Sequence, residues 1–493
     1  MRSPFPRFAI ALTVPFWAFA ARLGAGEPGG GKEWEKPEAP GKPDAPDAPR
    51  PKILDAAKPD APAPKPNIIV ILADDLGYGS IGCQGSDIPT PAIDGIAKNG
   101  VRFTNGYVSC PVCSPTRAGL LTGRYQQRFG HEFNPGGGPE AAQRGLPLSE
   151  TTLAQRLQAL GYVTGLVGKW HLGNAPGERP LRRGFDEFFG FLGGAHSYLD
   201  PTVASVNAVR RGDEPVGEKE YLTDAFTREA IAFVERHKDR PFFLYLSYNA
   251  VHTPMHAAPR HAERFREISD PKRRAFASML TAMDEGIGKL LEKLRAAGIE
   301  DDTLLFFLSD NGGPTGGNTS RNDPLRGVKG QAFEGGIRVP FLLQWKRQLP
   351  AGKVFEAPVI ALDIAPTAIA AAGGQPPADL DGVDLLPYLS GAKAGPPHEF
   401  LYWRYGRQRA IRQGKWKLLE MPGQPARLYD LEADIAEAKD LADSNRETFE
   451  RLDAAWRKWD AELAPPLWGG GAKAKPKAQK QTPARPKAKA KRL

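Results

Sequence analysis

Short apolar runs alternate with amphipathic stretches along most of the chain. The runs have the length of buried strands, and the stretches between them repeat apolar residues at the spacing of one helix face. This alternation predicts an α/β fold in which a large mixed sheet is covered by helices. After the N-terminal segment no apolar run is long enough to cross a bilayer, which excludes a protein with several membrane spans.

Four of these runs end in polar side chains. The runs span 67–73, 162–167, 241–247 and 303–308. The polar residues that follow them are Asp74, Asp75, Lys169, His171, Asn249, His252, Asp310 and Asn311. Because ligands bind beyond the carboxyl ends of the strands in an open α/β sheet, we expect these side chains to converge at one site.

A different rhythm begins after residue 391. Four short strand-like segments are followed there by one helical pattern. The segments and the helical pattern are 400–405, 408–411, 416–419, 427–431 and 444–463. We therefore predict a large domain at 67–390 and a small C-terminal α+β domain at 391–468.

The N-terminal 66 residues predict export followed by a linker. Residues 1–25 have basic residues, then an apolar stretch, then small residues at cleavage spacing, as in a signal peptide. An uncleaved interfacial anchor is the alternative. Residues 26–66 are a proline-rich linker, with eleven prolines between 27 and 66. We expect a periplasmic or extracellular protein.

The net charge of +9 is concentrated at the C-terminus of the 493-residue chain. Nine of the 66 basic residues, and no acidic ones, lie in 469–493, which leaves 57 basic residues to match the 57 acidic ones. A neutral body gives no reason to expect a nucleic-acid partner. The tail at 469–493 is either a solvated extension or a segment that adheres to an anionic polymer.

Two pairs of residues at strand ends predict a metal site. Asp74–Asp75 and Asp310–Asn311 supply three carboxylates and one amide. Oxygen ligands indicate Ca²⁺ or Mg²⁺ over zinc, and a divalent ion would offset the repulsion between the carboxylates. Either pair alone also fits an ordinary turn.

Cys113 lies just before a predicted helix that begins near Pro115, with Ser114 as its cap. A helix N-terminus favours an anion and would lower the pKa of a thiol, and Arg117 could bind the same anion. Three other interpretations remain for Cys113: a redox pair with Cys110, half of a zinc site, or an inert buried cysteine. Three cysteines in all exclude a disulfide framework.

Several sequence blocks are typical of one known family. The most specific is Cys113-Ser-Pro-Thr-Arg117 followed by Thr122-Gly123. Gly-Lys-Trp-His-Leu-Gly at 168–173 and Arg-Gly-Val-Lys-Gly at 326–330 accompany it. With these blocks, residues 66–463 resemble the type I, formylglycine-dependent sulfatases of the alkaline-phosphatase superfamily, such as arylsulfatases and N-acetylgalactosamine-6-sulfatases. Thr116 stands where that family more often has serine, which keeps the hydroxyl.

The resemblance implies an alkaline-phosphatase-like α/β/α sandwich and a set of site residues. It also implies that a separate maturation enzyme oxidises Cys113 to formylglycine, whose hydrate is the nucleophile. The residues implied as Ca²⁺ ligands are Asp74, Asp75, Cys113, Asp310 and Asn311. The residues implied in catalysis are Cys113, Arg117, Lys169, His171, His252 and Lys329. Those implied in substrate binding are Lys169, His196, His252 and Lys329.

Each of these side chains has an implied role. Arg117 and Lys169 would stabilise the formylglycine hydrate, and His171 would take the proton when the sulfated intermediate collapses. His252 and Lys329 would bind the sulfate and assist the leaving oxygen. A cation and several donors around the ester suit this chemistry, because the anionic oxygens of a sulfate monoester repel nucleophiles.

We expect the following histidines and aromatic residues to have structural roles. The histidines are His131, His237, His256, His261 and His398, and the aromatic residues, which could also stack on a sugar, are Tyr402, Trp403 and Tyr405.

We expect an exported, Ca²⁺-dependent enzyme that hydrolyses sulfate monoesters, with a sulfated sugar or glycan as its substrate. One alternative is a phosphodiesterase or phosphonate monoester hydrolase of the same superfamily. Another is a non-catalytic protein that binds anionic polymers through its basic tail.

Overall fold

The computed structural model describes residues 65–136, 140, 143–200, 207–261 and 263–469. The predicted signal peptide at 1–25 lies outside these residues, as do nearly all of the linker at 26–66 and of the tail at 469–493. None of the helices in the described part of the chain combines the length and the apolar character that a bilayer crossing requires.

The described residues form sixteen strands and ten α-helices, numbered here in chain order. The strands β1 to β16 are Asn67–Ala73, Val101–Phe103, Gly106–Tyr107, Val163–Lys169, Glu187–Phe191, Arg210–Arg211, Glu214–Pro215, Phe242–Ser247, Thr303–Ser309, Phe341–Gln344, Lys353–Phe355, Val359–Ile360, Leu401–Tyr405, Gln408–Gln413, Trp416–Glu420 and Arg427–Asp430. The helices α1 to α10 are Pro91–Lys98, Cys113–Thr122, Leu153–Ala159, Leu222–His237, Pro271–Ala296, Thr315–Asn318, Glu334–Ile337, Ile364–Ala371, Leu386–Leu389 and Arg446–Asp460.

Ten strands form one mixed sheet in the order β11-β2-β10-β9-β1-β8-β4-β5-β6-β7. Its centre is parallel, since β1 pairs with β8 and β9, and β4 pairs with β5 and β8, all in parallel. The ends of the central strands are level, because Ala73 of β1 pairs with Ser309 of β9 and Leu72 pairs with Ser247 of β8. The predicted α/β class is confirmed.

The central strand β1 shows why these runs are apolar throughout. Ile68 and Val70 belong to the core on one face of the sheet, and Ile69 and Ile71 belong to the core on the other face. A parallel strand covered by helices on both sides has no solvent face, so its sequence does not alternate. Each such side chain stabilises the fold by about 1.5–3 kcal/mol on burial.

The C-terminal part of the chain folds as predicted into a small α+β unit. Strands β13 to β16 form an antiparallel sheet in sequence order. Helix α10 buries Leu452, Trp456 and Trp459, which belong to the same core as one face of the large sheet. The predicted helix is longer than the observed one by a few residues at each end, as expected where helix ends fray.

Candidate active site

Polar side chains from four adjacent strands meet at the carboxyl edge of the large sheet. These strands are β9, β1, β8 and β4, and other segments add Cys113, Arg117 and Lys329. We call this group the strand-end cluster; its members are Asp74, Asp75, Cys113, Arg117, Lys169, His252, Asp310, Asn311 and Lys329. Six of the eight strand-end residues predicted to converge therefore meet here, whereas no described side-chain hydrogen bond joins His171 or Asn249 to them. Convergence alone assigns no role to any residue.

Cys113 is the first residue of helix α2 and is buried. Lys329 Nζ lies 3.2 Å from its Sγ, and Asp74 Oδ1 lies 3.6 Å from it. Burial, with the nearby charge of Asp310, raises the pKa of Cys113 to about 12. The predicted lowering of this pKa is wrong, because burial among carboxylates outweighs the helix N-terminus and the two lysines. The unmodified thiol is therefore protonated near pH 7.

Helix α2 begins two residues earlier than predicted, and Ser114 is not its cap. Val112 is the N-cap residue and makes no side-chain capping hydrogen bond. Ser114 lies inside the first turn, where its Oγ lies 2.6 Å from the carbonyl oxygen of His171 and 2.7 Å from His131 Nε2. The hydroxyl ties the helix start to the segment after β4, which positions Cys113 against the strand ends.

Arg117 and Lys169 hold two of the carboxylates. Arg117 donates to Asp310 Oδ2 from Nε at 3.0 Å and from Nη2 at 2.7 Å, and Nη2 lies 3.7 Å from Asp74 Oδ2. Lys169 Nζ donates to Asp74 Oδ2 at 2.5 Å. Burial opposes ionisation of Asp74, but Lys169, His252 and Arg117 outweigh it and lower the pKa of Asp74. The side chains of Asp74, Arg117, Lys169 and Asp310 are fully buried.

Asp75 is surrounded by the remaining members of the cluster. Lys329 Nζ lies 2.6 Å from Asp75 Oδ1, and Asn311 Nδ2 donates to the same oxygen at 2.7 Å. His252 Nε2 lies 3.6 Å from Asp75 Oδ2, and its Nδ1 lies 2.7 Å from the carbonyl oxygen of Thr253. The backbone amide of Asp75 donates a hydrogen bond to Asp310 Oδ1.

The strand-end cluster contains side chains that could together hold a metal ion. One ligand atom from each of Asp74, Asp75, Cys113 and His252 lies within 4.8 Å of the others. Asn311 Oδ1 is buried without a hydrogen-bond partner among the described residues, so an amide oxygen is available next to Asp75. Clustered carboxylates with an unpartnered amide oxygen are the ligands that Ca²⁺ prefers.

Two family models together match most of the chain. A model described as sulfatase matches residues 66–374, and one described as the C-terminal part of N-sulphoglucosamine sulphohydrolase matches residues 329–458.

The chain belongs to the sulfatase family.

Relatives of known sequence and structure agree with this assignment. The uncharacterized sulfatase YdeN of Escherichia coli (strain K12) is 35% identical over 69% of this chain and 68% of its own. N-acetylgalactosamine-6-sulfatase of Mus musculus is 35% identical over 72% of each chain. The crystal structure of Ps i-CgsB in complex with k-i-k-neocarrahexaose is 38% identical, with a TM-score of 0.77, over 82% of this chain and 94% of its own. This sulfatase is thus a sulfuric ester hydrolase with the alkaline-phosphatase-like fold.

His171 and His196 lie outside the hydrogen-bonded part of the strand-end cluster. Burial, followed by the charges of Lys169 and Arg117, holds the pKa of His171 well below its usual range. Its Nδ1 is buried and has no partner among the described residues. His196 instead lies with its Nδ1 2.9 Å from the carbonyl oxygen of Ser197, and no described hydrogen bond joins it to the cluster.

The backbone of this sulfatase is strained at two of these residues. Asp75 has a φ of 65° and His171 a φ of 59°, in the left-handed region that residues with a Cβ seldom adopt. Asn318 Nδ2 holds the first of them, since it donates to the carbonyl oxygens of Asp75 and Val251. Such strain persists where surrounding contacts dictate the conformation, and it is frequent at functional sites.

Sequence reasoning missed two side chains that position the cluster. Ser247 Oγ accepts a hydrogen bond from Arg117 Nη1 at 2.5 Å. Ser247 is the last residue of β8 and lies level with the other polar strand ends, so its position in the sequence could have identified it as a site residue. Asn318 was not recognisable, because nothing in the surrounding sequence indicates that its side chain reaches Asp75, in the segment that directly follows β1.

The other two cysteines are Cys83 and Cys110, and neither forms a disulfide. All three cysteines lie in the described residues and are unpaired, and Cys110 is buried whereas Cys83 is half-buried. Burial raises the pKa of Cys110 well above its ordinary value. No disulfide joins Cys110 to Cys113, and Cys110 does not belong to the group of possible metal ligands around Asp74 and Asp75.

Proposed function

We propose that this sulfatase removes sulfate from a sulfated sugar or glycan outside the cytoplasm, using Ca²⁺ and a formylglycine made from Cys113. The observation that carries the proposal is the position of Cys113 at the start of α2, within reach of Asp74 and Lys329. A buried thiol that stays protonated near pH 7 is a poor nucleophile, which favours conversion of this residue to another group.

The charges of the strand-end cluster support anion binding around a metal ion. Its three carboxylates are matched by three cations, so a divalent ion added to the cluster would leave an excess of positive charge. That excess would attract a sulfate monoester and stabilise the charge that builds up on its oxygens. Asp74, Asp75, Asp310 and Asn311 would hold the ion together with the modified residue 113.

The remaining side chains would move protons and orient the ester. Ca²⁺ would supply positive charge at the sulfate oxygens, and the formylglycine hydrate would supply a hydroxyl nucleophile beside it. Arg117 and Lys169 would stabilise negative charge at residue 113. His171 is neutral and would accept the proton released there.

His252 and Lys329 would act on the leaving-group side of the ester. His252 Nδ1 lies at hydrogen-bond distance from a carbonyl oxygen, so Nε2 is the nitrogen left for the ester, and in the imidazolium form it would give its proton to the leaving oxygen. Lys329 is the more exposed of the cluster's lysines and would bind the sulfate. For His196 we propose a role in binding the substrate through Nε2, since its Nδ1 lies 2.9 Å from the carbonyl oxygen of Ser197.

The substrate class follows from the relatives. One is named for sulfate on N-acetylgalactosamine, and one solved structure holds k-i-k-neocarrahexaose. We therefore propose that the substrate bound in this site is a sulfated sugar or glycan.

The proposed organisation of the chain is consistent with export. It consists of a signal peptide at 1–25, a linker at 26–66, a catalytic domain at 67–390, a C-terminal subdomain at 391–468 and a basic tail at 469–493. The formylglycine maturation enzyme would be a transient partner.

The proposal is tested by one peptide and one assay. Trypsin releases the peptide from 103 to 117, and conversion of Cys113 to formylglycine replaces its CH₂–SH group by CH=O, with loss of one sulfur and two hydrogens and gain of one oxygen. We expect this mass in protein from the native host, together with faster turnover of 4-nitrophenyl sulfate than of 4-nitrophenyl phosphate. An intact thiol in active protein would overturn the formylglycine assignment. A preference for the phosphate ester would favour the phosphorus-directed alternative.

A further inference from the structure

The hairpin between β13 and β14 reaches from the C-terminal sheet to the strand-end cluster. We define it as residues 405–408. Tyr405 pairs with Gln408 in the antiparallel register, so the two side chains lie on the same face of the sheet. Trp403, two residues earlier on that face, donates from Nε1 to the carbonyl oxygen of Val108 in the catalytic part. This face of the hairpin therefore packs against the catalytic part of the chain.

One side of the hairpin is tied to the segment that carries Lys329. Gln408 Nε2 donates to the carbonyl oxygen of Gly330 at 2.8 Å, and Gln408 Oε1 accepts from the backbone amide of Ala332 at 2.8 Å. Gly330 directly follows Lys329, whose Nζ lies 3.2 Å from Cys113 Sγ. The hairpin is thus one residue away from a side chain that touches the reacting position.

The other side of the hairpin is tied to the segment that supports α2. Gly406 N donates to Glu132 Oε1 at 3.1 Å, and the ring of Tyr405 lies 5.2 Å from the ring of Phe133. The next residue, Asn134, accepts a hydrogen bond at Oδ1 from the backbone amide of Ser114. The hairpin therefore contacts two separate segments, and each of them also contacts Cys113 or the residue next to it.

The arginines of this region differ in their partners. Arg404 is paired with Glu132 and Asp460, and Arg409 is paired with Glu420 and Asp453.

Arg407, at the tip of the hairpin, is exposed, and the described residues offer it no ion pair and no hydrogen bond. A guanidinium left without a carboxylate beside an anion-binding site is suited to a second anion, which it can bind with two parallel hydrogen bonds.

We propose that the hairpin is the wall of the substrate site and that Arg407 binds a second anionic group on a sulfated glycan. This inference rests on the proposed function and extends it to a substrate with at least two negative groups. The rings of Tyr405 and Phe133 lie against each other next to the tip, and a sugar ring can pack on such aromatic side chains. The sulfate that is removed lies at the strand-end cluster, and the second anion lies at the tip.

The test compares two disaccharides that differ by one sulfate. One carries a sulfate on each sugar and the other carries a single sulfate, and both are measured as inhibitors of 4-nitrophenyl sulfate hydrolysis in the presence of Ca²⁺. We expect the wild type to bind the disulfated disaccharide about fivefold more tightly, as for one partly exposed charge pair. Arg407→Gln should bring the ratio of the two inhibition constants close to one, and Arg407→Lys should restore part of it.

Arg451→Gln is the matched control, because Arg451 is also exposed and lies in the same C-terminal region on α10. It should leave the ratio unchanged. Equal inhibition of the wild type by both disaccharides would overturn the inference, as would an unchanged ratio in Arg407→Gln. If the wild type does not hydrolyse 4-nitrophenyl sulfate, the proposed function fails. Calorimetric binding of the same two disaccharides would then decide the role of Arg407 separately.

Discussion

The strand-end cluster has a counterpart beneath the C-terminal sheet, and both consist of buried charges. We call the second group the subdomain cluster; its members are Tyr107, Glu334, Arg338, Arg412, Lys417 and Glu437. Lys417 Nζ lies 2.9 Å from Glu334 Oε1 and 2.8 Å from Glu437 Oε1, and all three side chains are fully buried. In the strand-end cluster, by contrast, Lys329 and His252 keep 18% and 16% of their side-chain surface exposed.

The two clusters also differ in how their charges are compensated. Burial opposes ionisation of Glu334, but Lys417, Arg338 and Arg412 outweigh it and lower its pKa. Burial raises the pKa of Glu437 to about 7, because it outweighs the opposing charge of Lys417, so this carboxyl is only partly ionised near pH 7. In the subdomain cluster each carboxyl therefore has a buried cation of the same cluster beside it. The strand-end cluster differs because it opens to solvent at Lys329 and His252, which suits it to bind ions and substrate.

Removing the candidate nucleophile should have the largest effect and should act on one cluster only. Cys113→Ala leaves no group that can become a nucleophile, so kcat for 4-nitrophenyl sulfate should fall by more than about 10⁴-fold. The melting temperature should change little, since the thiol contributes little packing. Cys110→Ala, in the same peptide, is the control and should stay active. Substantial turnover in Cys113→Ala would rule out the proposed mechanism.

Breaking the subdomain cluster should instead destabilise the fold. Lys417→Met leaves Glu334 buried with less compensating charge, so the free energy of unfolding in urea should fall by about 3–5 kcal/mol. Lys415→Met is the control, because Lys415 pairs with Asp430 but is exposed to solvent, and it should lower the free energy of unfolding much less. Similar losses in the two variants would mean that the cluster is not structurally important.

Removing divalent ions should affect the strand-end cluster and not the subdomain cluster. Treatment with a chelator should lower turnover at least about 100-fold, and added Ca²⁺ should restore it. Ca²⁺ should also raise the melting temperature of the chelated protein, because it binds the folded state. This rise should persist in Lys417→Met and disappear in Asn311→Ala. A melting temperature that does not respond to Ca²⁺ would argue against a metal site here.

The role of His252 can be separated from that of the metal ion by changing the leaving group. His252→Ala should slow phenyl sulfate about tenfold more than 4-nitrophenyl sulfate, since only the poorer leaving group needs a proton. The measurement is kcat/KM for both esters. Equal slowing would show that His252 binds the sulfate without donating a proton.

A buried pair outside both clusters should give the smallest effect. His398 Nε2 lies 2.7 Å from Asp363 Oδ1, and although burial opposes the charge, Asp363 raises the pKa of His398. Its stabilisation is fully present below pH 6.5 and is lost as pH rises through the folded-state pKa. We expect the unfolding free energy to fall by about 1 kcal/mol or less over that range. His398→Gln should remove this pH dependence, and an unchanged profile in that variant would contradict the assignment.

The two clusters differ in how much of them the sequence predicts. The strand-end cluster was predictable because each strand is one apolar run, and the residue that follows a run must lie at the sheet edge. Asp74, Lys169 and Asp310 were found in this way. The subdomain cluster was not, because Glu334, Lys417 and Glu437 lie on three separate segments and resemble surface charges in sequence.

Some properties of the site residues also could not be predicted from the sequence. The pKa of Cys113 depends on how deeply the start of α2 is buried, and a helix N-terminus alone suggests the opposite shift. The left-handed backbone of Asp75 is imposed by contacts from distant segments. Arg407 is distinguished from Arg404 and Arg409 only by the carboxylates that the latter two reach across the fold.

The sequence by itself determined the α/β class, the small C-terminal sheet and the residues at the strand ends, because the spacing of apolar and polar residues along the chain encodes which side chains are buried together. The tertiary structure alone decided which charges are compensated, which side chains stay open to solvent and which hairpin borders the site. These properties depend on distances between segments far apart in the chain, and electrostatic energies change steeply with distance and burial.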